Sequence, residues 1–365
     1  MKLVIDDKIP FIRGFAESFG KTVYLPGSAI TADDVKDADA LIIRTRTKCN
    51  RQLLDGSKVS FIATATIGYD HIDTAYLHEA GIAWTNCPGC NASSVAQYVE
   101  CVLLQLAAHG CWESDAPLLS ASPQPIHREV FSGLTLGIVG VGHVGSQVEQ
   151  MARRLGFAKI LLCDPPRAEL ENSSSYVSLE EIAHQSDVVT FHTPLTFAPA
   201  PHPTYHMASE DFFRQLRSSA VVINSSRGEV VDGEALKQAL LTQSIRTAVV
   251  DTWEHEPNID PTLLSTVFIG TPHIAGYSAD GKANGTRMSL QAVARHFGFD
   301  AEQFSAVQAP SLPVDFAYYP EGDGKELAPE LRLYDPLRDS QALKLHPENF
   351  ETLRGNYPLR RESMT

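Results

Sequence analysis

The sequence predicts an α/β protein built from two doubly wound parallel-sheet domains followed by a small C-terminal module. Three observations carry that expectation. Short apolar runs alternate with helical patterns twice along the chain, once within the first hundred residues and again from Leu134. One long helical stretch separates the two series. A Gly-x-Gly-x-x-Gly turn opens the second series directly behind an apolar strand. With 365 residues, 43% of them apolar, the chain has material for more than one core.

The first series places strands at Lys2–Ile5, Lys21–Tyr24, Leu41–Arg44, Phe61–Thr64 and Ile82–Thr85, each followed by turn or cap chemistry. Between the series, Val95, Val99, Val102, Leu103 and Leu106 recur at helical spacing over Ala92 to Ala108, with Asn91 or Ser93 to cap the start and Gly110 the end. Glu113 to Pro125 is Ser/Pro-rich and reads as a loop. The second series has strands at Leu134–Val139, Lys159–Cys163, Asp187–Phe191, Ala220–Asn224 and Thr247–Val250, and a last one near Val267–Ile269. Ser178-Leu179-Glu180-Glu181 fits a capping box, and Ser278 is expected to cap a helix running through the 280s and 290s. After residue 300, Pro310, Pro313, Pro320, Pro329 and Pro336 break any long element, while Tyr318, Tyr319, Leu331 and Leu333 keep apolar surface for a small appended module.

Charge and composition exclude several classes. Thirty basic against 44 acidic residues give a formal charge of −14, which argues against a nucleic-acid binder. No run approaches the roughly 20 apolar residues of a membrane span. Asp6 and Asp7 interrupt the N-terminal apolar run, so no signal peptide is expected. Six scattered cysteines suit reduced thiols in a cytosol, and hence a cytoplasmic protein. Cys87-Pro88-Gly89-Cys90 is read as a turn ahead of a redox pair or half a zinc site, since no second pair supplies further ligands and no metal is expected.

Gly140, Gly142 and Gly145 form the glycine motif, with His143 and Val144 inside it and Val144, Val148, Met151 and Leu155 continuing as a helix. Gly140 permits the tight turn, Gly142 lets backbone approach a pyrophosphate, and Gly145 lets helix pack on strand. The helix N-terminus supplies amides and positive dipole for the phosphates. The next strand ends at Asp164, placed to bond a ribose 2′-hydroxyl and repel a 2′-phosphate, so NAD is favoured over NADP, with Arg167 nearby tempering the preference.

Polar residues follow three further strands, where ligands of doubly wound sheets gather. The segments are His192-Thr193-Pro194, Asn224-Ser225-Ser226-Arg227-Gly228 and Asp251-Thr252-Trp253-Glu254-His255-Glu256, followed by Thr271-Pro272-His273. Oxidation of a 2-hydroxy acid needs a base, a group to orient it and a cation for the carboxylate. His273 suits the base, Glu256 can hold its imidazole, and Arg227 can clamp a carboxylate bidentately. Taken singly, each has a duller reading as a loop histidine, a solvated carboxylate or a surface ion-pair partner; the set, in this order behind a dinucleotide fold, favours catalysis.

The order Arg, Glu, His behind a glycine motif resembles the D-isomer-specific 2-hydroxyacid dehydrogenase family. The resemblance extends through Thr64–His71, Pro88–Asn91, Leu136–Gly145, Cys163–Pro166 and Thr271–Tyr277, and into Tyr334–Asp339 and Phe350–Glu362. It implies a flavodoxin-like substrate domain (1–95 with 274–290), a Rossmann NAD domain (96–273) and a C-terminal dimerisation domain (291–365). It implies Arg227, Glu256 and His273 as the catalytic set. For NAD it implies Asp164, Thr193, Ser225, Ser226, Arg227, Asp251 and Gly276, and for a small phosphorylated hydroxy acid Thr45, Thr66 and Tyr277, with Arg44, Arg46 and Lys48 adding positive potential. Position 45 carries Thr where the family commonly has Ser, and Ser226 stands where Cys is expected. The implied protein is a homodimer. A glycerate- or phosphoglycerate-type dehydrogenase, or an NAD-sensing binding protein without catalysis, are the alternatives.

Overall fold

The structure, a computed structural model, describes residues 1–113, 118, 125–126, 128–311, 328–358 and 360–362. Most of the Ser/Pro-rich stretch expected as a loop, together with Pro313, Tyr318, Tyr319 and Pro320, lies outside the described residues.

The chain forms two compact units, Met1–Asn91 with Tyr277–Val314 and Ala92–Gly276 with Asp315–Thr365. The first holds a parallel sheet of β1 (Lys2–Asp6), β2 (Lys21–Leu25), β3 (Ala40–Ile43), β4 (Phe61–Thr64) and β5 (Ala83–Thr85), in the order β2-β1-β3-β4-β5. That is the flavodoxin-like order, with its reversal between β1 and β3. The strands are apolar on both faces because helices cover both, so β3 and β4 are buried throughout.

The second unit holds β6 (Thr135–Val139), β7 (Lys159–Cys163), β8 (Val188–Phe191), β9 (Val221–Asn224), β10 (Thr247–Val250) and β11 (Ile269–Gly270). All pair in parallel, in the order β11-β10-β9-β8-β6-β7, and the order reverses at β6. Helix α1 (Ala92–Ala108) belongs to this unit, and α2 (His143–Leu155) follows the glycine turn. The Ser178 hydroxyl accepts from the Glu181 amide and caps the next helical segment. Helix α3 (Ala279–Phe297), capped by Ser278, returns to the first unit, where Leu290, Val293 and Ala294 join the core of Leu3, Ile5, Ile42 and Phe61.

Several boundaries differ from expectation: residues 274–276 fall in the second unit, and 291–311, expected in the C-terminal module, fall in the first. Helix α1 starts the second unit at residue 92, whereas residues 1–95 were expected together. The described C-terminal residues do not form a third compact body. In α4 (Pro336–Leu345), Leu343 is buried in the second unit's core, as is Phe350 at the start of α5 (Phe350–Gly355), alongside Val250, Trp253 and Leu264. The Ser340 hydroxyl accepts the Gly270 amide at 3.0 Å, and Lys344 donates to the Phe268 carbonyl at 3.2 Å. β11 is the edge strand, and α4 bonds its Gly270 amide and the Phe268 carbonyl just before it.

All six cysteines are free and buried. The Cys90 amide donates to the Cys87 carbonyl at 3.2 Å, so this segment is a turn. Among the described residues, no helix is long and apolar enough to cross a membrane.

Candidate active site

The glycine turn joins β6 to α2 where the strand order reverses. Gly140 has φ +87°, and a Cβ there would lie 2.7 Å from the His192 carbonyl carbon. A Cβ on Gly145 would lie 2.1 Å from the Gly140 carbonyl oxygen, so helix and turn pack backbone to backbone. At Gly142 a Cβ would meet nothing within 4 Å. No side chain caps α2, whose first turn contains His143 and Val144.

Asp164 begins the helical turn after β7. One carboxylate oxygen accepts the Val141 amide at 2.8 Å and the other the Arg167 amide at 3.1 Å, tying β7 to the glycine turn. The Arg167 guanidinium is held by Glu171 and by the Val141 carbonyl. After β8, the His192 Nε2 and the Thr190 hydroxyl lie 2.9 Å apart, and burial pushes the His192 pKa down to about 3. His192 is therefore neutral at working pH. Thr193 follows it, its methyl group packed beside Gly140.

The Asn224 side chain shapes the turn after β9. It accepts from the Ser226 amide at 3.1 Å and hydroxyl at 2.9 Å, and donates to the Arg227 carbonyl at 2.9 Å. The Arg227 guanidinium donates to the Ser226 carbonyl at 2.8 Å. The Ser225 hydroxyl is buried with no hydrogen-bond partner among the described residues.

Asp251, 1% exposed after β10, organises the histidine loop. One of its oxygens accepts from the Thr271 hydroxyl at 2.6 Å and the Ile274 amide at 2.8 Å, and the other from the Ala275 amide at 3.0 Å. Burial raises its pKa, partly offset by the charge of His273 and these hydrogen bonds. Behind it, the buried Tyr98 hydroxyl lies 2.8 Å from the Thr271 hydroxyl, and the Trp253 indole donates to the Thr271 carbonyl at 2.9 Å. His273 itself has φ +56°, and its amide donates to the Asp251 carbonyl at 2.8 Å.

This scaffold brings the His273 Nδ1 to 2.9 Å from one Glu256 oxygen and 3.1 Å from the other. Glu256 also accepts the Trp253 amide at 3.0 Å. Burial pushes its pKa upward, but the hydrogen bond and charge of His273, the Trp253 amide and the Arg354 guanidinium outweigh that and hold it below the usual value. The carboxylate is thus ionised and accepts the Nδ1 proton, which leaves Nε2 as the basic nitrogen.

The remaining expected residues lie in the first unit. Arg44, Thr45, Arg46 and Lys48 follow β3; Thr45, Arg46 and Lys48 are exposed, and the Arg44 guanidinium donates to the Lys8 carbonyl at 3.1 Å. Thr66 follows β4, its hydroxyl 2.7 Å from that of Thr64 and donating to the Gly68 carbonyl at 2.9 Å. Tyr277 precedes α3, with the Lys282 ammonium 5.0 Å from its ring centre. Gly276 ends the histidine loop of the second unit.

Sequence reasoning named Thr271 without a role and missed Tyr98, Arg354 and Arg360. Arg360 is 4% exposed and donates to the carbonyls of Ala275 at 2.6 Å, Ser94 at 2.9 Å and Ile274 at 3.3 Å. Arg354 approaches Glu256 at 3.7 Å. A basic side chain in a segment expected to mediate dimerisation carries no sequence signal for such contacts.

Residues 106–275 match the family described as D-isomer specific 2-hydroxyacid dehydrogenase, NAD binding domain. Over 99% of its length the chain is 52% identical to an erythronate-4-phosphate dehydrogenase of Bacteroides thetaiotaomicron, covering 97% of that protein. It is 38% identical to the one of Escherichia coli O157:H7, again over 99% of this chain and covering 92% of that protein. The D-lactate dehydrogenase of Aquifex aeolicus, solved with NAD and lactic acid, shares the fold with a TM-score of 0.66 at 24% identity, covering 85% of this chain and 100% of that one. Near-complete coverage at this identity, with the histidine–glutamate pair formed, places the chain in the erythronate-4-phosphate dehydrogenase family, within the D-isomer specific 2-hydroxyacid dehydrogenases.

Proposed function

We propose that the protein oxidises 4-phospho-D-erythronate at C2 to 2-oxo-3-hydroxy-4-phosphobutanoate, in the cytoplasm and as a homodimer, within pyridoxal 5′-phosphate (vitamin B6) biosynthesis. The observation that carries this reading is the His273–Glu256 pair at 2.9 Å in the unit that also bears the glycine turn. NAD, when bound, accepts the hydride from C2. The open space at Gly142, the helix without a side-chain cap and the orphaned Ser225 hydroxyl fit such a dinucleotide. Gly140, Gly145, His143, Val144, Asp164, Thr193, Ser226, Arg227, Asp251 and Gly276 complete the residues assigned to it.

His273 Nε2 takes the C2 hydroxyl proton, and Glu256 stabilises the imidazolium as it forms. Arg227 holds the substrate carboxylate and the developing carbonyl. Arg44, Thr45, Arg46, Thr66 and Tyr277 are assigned to the substrate, with guanidinium and hydroxyl groups suited to phosphate oxygens. The step balances: the proton on the C2 hydroxyl oxygen goes to the imidazole, the hydride on C2 goes to the nicotinamide when it is bound, and the carbon–oxygen bond becomes a carbonyl.

The test is NADH formation from purified protein, NAD and 4-phospho-D-erythronate, followed by absorbance. Turnover of glycerate or 3-phosphoglycerate alone would reassign the substrate, and NAD binding with no turnover of any of them would overturn the enzymatic reading. His273→Ala is expected to lower the rate by at least ~100-fold while NAD still binds, as measured by calorimetric titration.

A further inference from the structure

The C-terminal segment reaches the catalytic unit at two points that packing alone does not require. Arg360 donates to the carbonyls of Ile274 and Ala275, the two residues after His273. Arg354, in α5, places a guanidinium nitrogen 3.7 Å from the same Glu256 oxygen that His273 Nδ1 approaches at 2.9 Å. The Glu256 and Arg354 side chains are 18% and 23% exposed, so bulk water screens this contact only partly. One carboxylate therefore serves two cations whenever the imidazole is protonated.

We infer that Arg354 is a positioning residue that acts through Glu256: its guanidinium shares the carboxylate with the imidazole and so limits how tightly the imidazolium is held. The inference rests on the assignment of His273 as base. In the oxidative direction the ring must start neutral, and a second cation on the carboxylate favours that form. Without Arg354 the carboxylate is left with His273 and the Trp253 amide as its partners, and the ring holds its proton to higher pH.

Other charged and titratable groups among the described residues surround the pair. Asp251 lies under the loop, with hydrogen bonds from Thr271, Ile274 and Ala275. Glu254, in the same turn as Glu256, bonds His206 at 2.7 Å and the Gly233 amide at 2.8 Å. His255 adjoins Glu256 in sequence, and Arg227 follows the neighbouring strand β9. Arg354 is the cation paired with Glu256 from the C-terminal segment.

The experiment compares the native protein with Arg354→Gln and Arg354→Lys. For Arg354→Gln, the acid limb of the kcat/KM profile for oxidation should move to higher pH by roughly half a unit to one unit, with the high-pH plateau held within about threefold. Arg354→Lys, which keeps the charge, should restore the native limb. A second readout needs neither substrate nor NAD. Nitrogen-15 histidine spectra of the free proteins, with the His273 signal assigned by His273→Gln, should show its titration displaced in the same direction in Arg354→Gln. An unmoved limb and titration in Arg354→Gln, or an equal displacement in Arg354→Lys, would overturn the inference. Because the spectra are independent of turnover, failure of the substrate assignment leaves this outcome readable.

Discussion

Gly228 decides where Arg227 is held. A Cβ there would sit 2.0 Å from the Trp253 carbonyl oxygen and 2.5 Å from the Glu254 amide nitrogen, and no side-chain rotation relieves a clash between backbones. Gly228→Ala must therefore move the turn after β9 away from the strand-end segment that carries Glu256. Displacements of an ångström at a reacting centre can cost on the order of 100-fold. The expected result is a loss of kcat/KM approaching that size with the fold retained, checked by steady-state kinetics beside circular dichroism. The residue scale also separates what the sequence announces from what it hides. Arg227, Glu256 and His273 stand out as candidates because they are chemically suited groups placed after apolar strands, and the structure pairs the last two. The φ of +56° at His273 was not, because a left-handed non-glycine residue is imposed by its surroundings, here the Asp251 carboxylate and carbonyl. Arg354 was invisible for a similar reason: its meaning lies in a contact almost a hundred positions away from its partner.

Elements were the most legible level. Strands of a parallel sheet covered on both faces read as unbroken apolar runs, which is why all eleven strand positions were marked within a residue or two of where they form. Helix α1 was placed at its observed bounds by apolar spacing and flanking cap residues. The short helices beyond residue 328 were not resolved as separate elements, because five- to ten-residue segments broken by proline offer too few turns to show a period. Their importance is nevertheless energetic. Phe350 is 1% exposed within the second unit's core, so Phe350→Ala should destabilise that unit by about 3–5 kcal/mol. Urea unfolding monitored by fluorescence measures this, and a loss well below 1 kcal/mol would mean that α5 only rests on the surface.

For the molecule as a whole, the acidic balance conceals a buried carboxylate with its own pH signature. Asp339 accepts the Tyr357 hydroxyl at 2.7 Å; burial raises its pKa to about 6, against the lowering effects of that hydrogen bond and of Arg360. A carboxylate whose pKa is higher folded than unfolded (about 4) contributes its stability below pH 4 and loses it as the pH rises through 6. Asp339→Asn keeps an acceptor for Tyr357 but cannot ionise. It should flatten the fall in melting temperature between about pH 4 and pH 6, measured by calorimetry across that range. An unchanged slope would place the titration elsewhere.

Chain order has a consequence for biosynthesis. The first five strands leave the ribosome early, yet α3, which supplies Leu290, Val293 and Ala294 to their core, is translated only after about 185 residues of the other unit. At roughly 5–20 residues per second that is a delay of about 10–40 s. Through that interval the nascent sheet shows Leu3, Ile5, Ile42 and Phe61 to the cell, and the unit that begins first cannot close its core until the other unit's sheet has been made.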